Sequence, residues 1–443
     1  MNPITTQLNY YASRAISLHV PGHHNGTIGN LDIKLSYDMT EITGLDDYHH
    51  AETIIADSER LLTRHSDYQS RYLVNGTTTG LLSVLQSVKS SSVAVMRNVH
   101  KSVFNGLTMA GLKAYILPTT VSTVSQQYAG IDFSMINKKD LEEVTLAVLT
   151  YPNYFGETYD IKTAIEFFHD CDIEVLVDEA HGAHFDIAAG FPVSSIHYGA
   201  DYVVQSYHKT LPALTMGSVI HIHHQASLKN NIRRYLSILQ TSSPSYLVLS
   251  SLEQAHAFYV NYDAANFWQK RSILIQQLSH QVDVVEMDDP LKLMIRKDGY
   301  SGTALQTLLE KQFIYTELAT LSEVLLVLPL WHEGDHFPMD RLLTAIKKTD
   351  VTDIPANNMI QAKNTLPTSP GYFNPVEGEE RIVSLVEGIG YYTAQSLIPY
   401  PPGIPFVVAG ERLTEGHVTV LQKYVGQGIR IHGMIDGKIT IVE

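Results

Sequence analysis

Residues 70 to 225 predict an α/β fold built on a mainly parallel, doubly wound sheet. Three observations carry this. Short runs rich in Val, Ile and Leu alternate with longer helical stretches, as in βαβ units. Most of the runs lack a period-two alternation, as expected of strands covered on both faces. The chemically distinctive motifs follow the ends of the runs, where ligands bind in such sheets.

The predicted strands are Tyr72–Val74, Val93–Met96, Ala114–Leu117, Leu146–Thr150, Glu174–Val177, Tyr202–Gln205 and Ser218–Ile222. Helices are expected over Thr77–Lys89, Lys101–Gly111 and Ile161–Asp170. From about Trp268 a smaller C-terminal α+β domain is expected, with strands such as Lys292–Arg296 and Ile439–Val442 and a helix over Ser301–Gln312. The stretch Asp353–Pro375 is rich in Asn, Pro, Thr and Ser and reads as a loop. The run Pro399–Pro405 is expected to be extended, because each proline fixes its own φ and restricts the residue before it.

The 443 residues allow a large core, and 44% apolar with 17% charged residues describes an ordinary globular composition. No apolar run is long enough for a signal or a membrane span, so a cytoplasmic location without a membrane partner is expected. The single cysteine, Cys171, excludes an internal disulfide and a multi-thiolate metal site; beside Ile173–Val177 it reads as a buried, inert thiol. A net charge of −15 repels nucleic acid and mildly favours cationic small molecules.

Four strand exits carry candidate chemistry. Gly76-Thr77-Thr78-Thr79-Gly80 opens a helix, and a helix N-terminus with small hydroxyl side chains is an anion site. The plainer reading is a glycine turn with a threonine cap. It is not a Walker A loop, since no Gly-Lys-Thr/Ser follows. Asp178 ends its strand within Asp178-Glu179-Ala180-His181-Gly182-Ala183-His184, where a buried carboxylate can hold a cationic ring nitrogen. The alternatives are a metal site using His181 and His184, or a loop acid with solvated histidines.

Lys209, in Ser206-Tyr207-His208-Lys209-Thr210, has apolar residues behind it, and desolvation there would make its amine available for imine formation. A solvated surface lysine is the plainer alternative. The fourth candidate is His100, in Arg97-Asn98-Val99-His100-Lys101-Ser102, which can stack on a flat ring or shuttle protons; a hydrogen-bonded loop histidine is the alternative. Together, an anion cradle, an acid, an imine-capable lysine and a flat imidazole specify a phosphorylated pyridine aldehyde, pyridoxal 5′-phosphate (PLP).

With these motifs in this order the chain resembles the bacterial ornithine/lysine/arginine decarboxylases, a fold type I PLP family. Pro21-Gly22-His23, Gly44-Leu45-Asp46-Asp47, Asn75–Gly80, Arg97–Val103, Asp178–His184, Ser206–Thr215, Tyr400–Pro405 and Gly410-Glu411 carry the resemblance. It implies that Lys209 holds PLP as a Schiff base, Asp178 pairs with the pyridine nitrogen and His100 stacks on the ring. Thr77, Thr78, Ser206 and His208 would bind the phosphate, and His181 joins the cofactor-binding set. The family further implies a homodimer with active sites at the interface, Asp46-Asp47 lying near a neighbouring site. The implied division is an N-terminal arm over 1–50, a PLP-binding domain over 51–267 and a small domain over 268–443. The chain is similar to short members without an N-terminal receiver-like domain.

Three departures bear on the substrate: His24 where lysine is common, Met216 where glutamine is frequent, and Tyr391–Gln395 in place of Arg-Ile-Ser-Ala-Glu. The reading that follows is PLP-dependent decarboxylation of a basic amino acid to its amine and CO2. Two rivals stay open, another PLP reaction on an amino acid and a non-catalytic interaction protein built on the fold.

Overall fold

The computed structural model describes residues 2–351, 366–368, 370–373, 378–400, 403–426 and 428–443. Its largest sheet contains all seven predicted strands: β1 (Tyr68–Leu73), β2 (Ser92–Val95), β3 (Lys113–Ile116), β4 (Val144–Thr150), β5 (Glu174–Asp178), β6 (Tyr202–Gln205) and β7 (Ser218–His223). An eighth, β8 (Gly371–Phe373), joins the edge, giving the order β8-β3-β2-β4-β5-β6-β7-β1. The pairs β3–β2, β2–β4, β4–β5 and β5–β6 are parallel. The pairs β6–β7, β7–β1 and β8–β3 are antiparallel. The sheet is thus mainly parallel, as the uninterrupted apolar runs require. Every residue of β2 and β6 is buried, which is why those segments show no polar alternation.

The helices start and stop near their sequence signals. Helix α1 spans Thr77–Leu85 after Gly76, whose φ of +85° only glycine adopts freely. Helix α2 spans Lys101–Ala110, begins at His100 and ends on Gly111 in the left-handed conformation. Helix Ile161–His169 is capped by Asp160, which accepts from Thr163 N.

The strands predicted at Lys292–Arg296 and near Ile439–Val442 fall in two different sheets. Lys292–Arg296 lies between Asp283–Glu286 and Glu323–Val327 in an antiparallel sheet. Lys438–Val442 pairs with Glu380–Ser384 and Tyr392–Thr393. The second group packs around a separate apolar cluster that includes Leu397, Val407, Leu421 and Ile441. Most of the loop expected over Asp353–Pro375 lies outside the described residues, yet Gly371–Phe373 within it is β8, because its backbone completes the free edge of β3. The extended conformation expected of Pro399–Pro405 reaches Tyr400 in a strand, while Gly403 turns the chain with φ +90°; Pro401 and Pro402 lie outside the described residues. Cys171 is partly buried against the main core.

Candidate active site

The topology brings four strand exits to one end of the sheet. β1 and β6 run the same way and end there, and the antiparallel β7 between them starts there. Ser218 on β7 is therefore level with Leu73 on β1, and Val219 with Gln205 on β6. The outcome is a hydroxyl cluster: Thr77 Oγ1 bonds to Ser206 Oγ and lies 3.0 Å from Ser218 Oγ. All three side chains are buried at the N-terminus of α1, where the first N–H groups have no partner within the helix. Thr78 is exposed on the same first turn. His208 Nδ1 donates to Gly217 O at 3.0 Å, and its burial lowers its pKa to about 4, so the ring is neutral.

Asp178 is the last residue of β5, paired with Val204 on the neighbouring β6. It is buried; one oxygen accepts from Ala180 N at 3.2 Å, and among the described residues no donor reaches the other. Burial raises its pKa, opposed by the charge of Lys209. Lys209 sits on a short helix, Tyr207–Thr210, that follows β6. Burial lowers its pKa, opposed by Asp178 and Glu317 and reinforced by Lys292. Its Nζ lies 3.1 Å from His181 Nε2.

His100 marks the start of α2, its Nδ1 accepting from Ser102 N at 3.3 Å. Desolvation lowers its pKa to about 4, with the nearby charge of Lys209 adding to the effect. Its Nε2 would lie 3.6 Å from a Cβ at Gly403, so the backbone there closes over this imidazole. The Gly410-Glu411 motif meets the same loop through Arg97. Glu411 forms a buried ion pair with Arg97 at 2.5 Å.

The two histidines of the Asp178–His184 motif separate. His181 faces Lys209, whereas His184 makes a fully buried pair with Asp289 at 2.8 Å. Asp46 does not offer its carboxylate to a ligand: it accepts from the backbone of Glu52, Thr53 and Ile55 at 2.8–3.2 Å, where the helix Ile54–Leu61 begins. Nor does His24 join the cluster; it is buried and bonds to Ser17 O at 3.0 Å.

Three residues at the site escaped the sequence reading. Tyr154 follows β4 and packs its ring 4.4 Å from that of His181. Glu317 accepts from Tyr154 Oη and from Val20 N, the latter at 3.0 Å. Lys292 is fully buried, its Nζ 3.5 Å from His181 Nδ1. A signal for Lys292 was present: it is a lone cation in the apolar run Leu291–Ile295.

The donor set fits a phosphorylated pyridine. Hydroxyls and a helix N-terminus suit a phosphate, a buried acid with a free oxygen suits a ring nitrogen, and a desolvated amine suits an aldehyde. The family comparison agrees. The models for the major and C-terminal domains of Orn/Lys/Arg decarboxylase match residues 2–286 and 356–429. The chain belongs to the Orn/Lys/Arg decarboxylase family. Membership makes PLP the cofactor and amino-acid decarboxylation the family's reaction. The uncharacterized protein YaaO of Bacillus subtilis is 38% identical, over 97% of this chain and 96% of that protein. An arginine decarboxylase of the same organism is 26% identical over 99% and 97%. Among solved structures, the Francisella novicida lysine decarboxylase LdcF superposes with a TM-score of 0.73 at 19% identity, over 92% of this chain and 74% of that one. The Escherichia coli constitutive lysine decarboxylase gives 0.70 at 18%, over 100% and 82%. Both show the fold.

Proposed function

We propose that this chain is a PLP-dependent decarboxylase of a basic amino acid, arginine, lysine or ornithine, acting as a homodimer in the cytoplasm. The observation that carries the reading is the convergence of Lys209, Asp178, His100, His181 and the Thr77–Ser206–Ser218 hydroxyls at one end of the sheet. When bound, PLP supplies an aldehyde for the amino group and a conjugated ring that takes up the electron pair released with CO2. Lys209 provides the amine that holds it. Asp178 would keep the ring nitrogen protonated, and His100 would cover one face. Thr77, Thr78, Ser206 and His208 receive the phosphate. His208, whose Nδ1 already donates to Gly217 O, would have its Nε2 left to face the phosphate. Lys209 or a neighbouring histidine then returns a proton to the substrate carbon.

A site for a cationic distal group must pair it, because an unpaired buried charge is costly. The engagement of Asp46 with backbone amides removes it from the candidates for that partner. The dimer is supported by an N-terminal helix, Pro3–Ala12, with no buried residue, and by exposed Leu35 and Ile42 along the same arm.

The decisive experiment is an amine-product screen of PLP-loaded protein over the twenty amino acids plus ornithine. Agmatine, cadaverine or putrescine is expected, with norleucine turned over very poorly, since a site built for a charge rejects the uncharged isostere. Norleucine decarboxylated as efficiently as every basic substrate would overturn the specificity. Keto acid or ammonia in place of an amine would overturn the reaction.

A further inference from the structure

Lys292 is the least expected group near Lys209, because a fully buried ammonium is costly unless something receives its protons. Its place is built. A Cβ at Gly156 would stand 2.5 Å from Lys292 Cγ, so the glycine, at φ +85°, clears room for the stem. Lys292 N donates to Asp289 O at 2.9 Å, and Asp289 is pinned through its carboxylate to His184. The turn that delivers Lys292 is thereby tied to the loop that delivers His181. The Tyr154 ring lies under both, 5.8 Å from Lys292 Nζ.

One imidazole stands between two amines, with Lys209 Nζ 3.1 Å from Nε2 and Lys292 Nζ 3.5 Å from Nδ1. Burial, reinforced by both lysines, pushes His181 well below its ordinary pKa, so the ring is neutral. A neutral imidazole has one N–H and one lone pair. It can accept from only one ammonium, and to the other amine it must donate. Both lysines cannot be charged and bonded to it together.

We propose that Lys292 is a positioning residue whose ammonium fixes His181 as the Nε2–H tautomer, so that Lys209 receives a hydrogen bond and is held as a free amine. The charged groups around the trio favour this direction. Burial lowers the pKa of Lys292, as it does that of Lys209, but for Lys292 it is opposed by Glu317 and Asp289 with no repelling lysine among its causes. Lys209 feels Asp178 and Glu317 against the repulsion of Lys292, with the neutral His100 and His208 alongside. In the proposed function Asp178 also serves the cofactor nitrogen, which leaves Lys209 with less support for a proton. The arrangement supplies PLP with a nucleophilic amine at neutral pH.

The inference rests on Lys209 being the cofactor lysine, and the experiment separates the two. Cofactor-free, full-length protein is pulsed with formaldehyde and cyanoborohydride from pH 6 to 10, and methylation of the Lys209 and Lys292 peptides is read by mass spectrometry. Midpoints are compared rather than rates, since burial slows both. Lys209 is expected to titrate below Lys292. In Lys292→Met, which keeps the volume and removes the charge, the Lys209 midpoint is expected to rise by at least one pH unit, and Lys292→Arg should hold it near the wild-type value. A Lys292 midpoint below that of Lys209, or a Lys209 midpoint indifferent to Lys292→Met, overturns the proposal. The order of the two midpoints in the wild-type chain decides the matter if the variants do not fold. Borohydride trapping of PLP on a lysine other than Lys209 would instead overturn the cofactor assignment.

Discussion

At the scale of single residues, the site depends on groups whose pKa burial shifts. Lys209 is lowered and Asp178 raised, each by desolvation and each partly restored by the other. In the proposed function Asp178 keeps a ring nitrogen protonated, and Asp178→Asn would remove that carboxylate while preserving shape. Decarboxylation is expected to fall by several orders of magnitude, on the order of 5 kcal/mol in barrier, with PLP still bound. Single-turnover kinetics on a PLP-saturated, folded variant checks this, and near-normal turnover would show that another acid does the work. Lys209→Ala should lose the visible absorbance that borohydride abolishes in the wild type, along with all turnover.

At the scale of elements, Arg97, in the loop after β2, is buried against the C-terminal unit. Arg97 donates to Glu411 at 2.5 Å and to Phe406 O at 3.1 Å, and Glu411 also accepts from Val408 N at 2.9 Å. His417 lies 4.0 Å from the same carboxylate. Removing one partner leaves a buried charge unpaired, so Glu411→Leu is expected to destabilise by about 3–5 kcal/mol. Pairing it with Arg97→Met removes the orphaned charge and should recover most of that loss. Urea unfolding of the two singles and the double closes the cycle. Additive losses would show that the ion pair is not what joins these elements.

Over the whole molecule, burial lowers the pKa of histidines outside the cofactor cluster as well, among them His24, His221, His256 and His417. Burial lowers His24 to about 3 and His256 to about 4, from an ordinary value of 6.5. The unfolded chain therefore binds these protons first as the pH falls. The stability they contribute is complete above pH 6.5 and is lost as the pH drops toward 4 for His256 and toward 3 for His24. For His256 this is on the order of 3 kcal/mol. Urea midpoints measured between pH 7 and pH 4 should fall, and His256→Phe should flatten that slope even if it lowers stability at pH 7. An equally steep slope in the variant would place the acid sensitivity elsewhere.

The sequence by itself determined the sheet class and the motifs at its strand exits, because both are written in contiguous residues. A run such as Val93–Val95, buried on both faces, shows its burial in its own composition, and Gly76 before three threonines shows its turn. It also marked Lys209, Asp178 and His100 by their places at strand ends. Tertiary structure decided what faces them. Lys292 meets His181 across 111 residues, and Arg97 meets Glu411 across 314. Gly371–Phe373 became a strand only because β3 left an edge to fill. Asp46, expected from the resemblance to lie near a neighbouring site, is turned by the fold onto backbone amides. The physical reason is common to all of them. Periodicity and composition report the surroundings of a segment's own backbone, whereas a polar side chain's partner is fixed by strand order, register and the packing of remote loops.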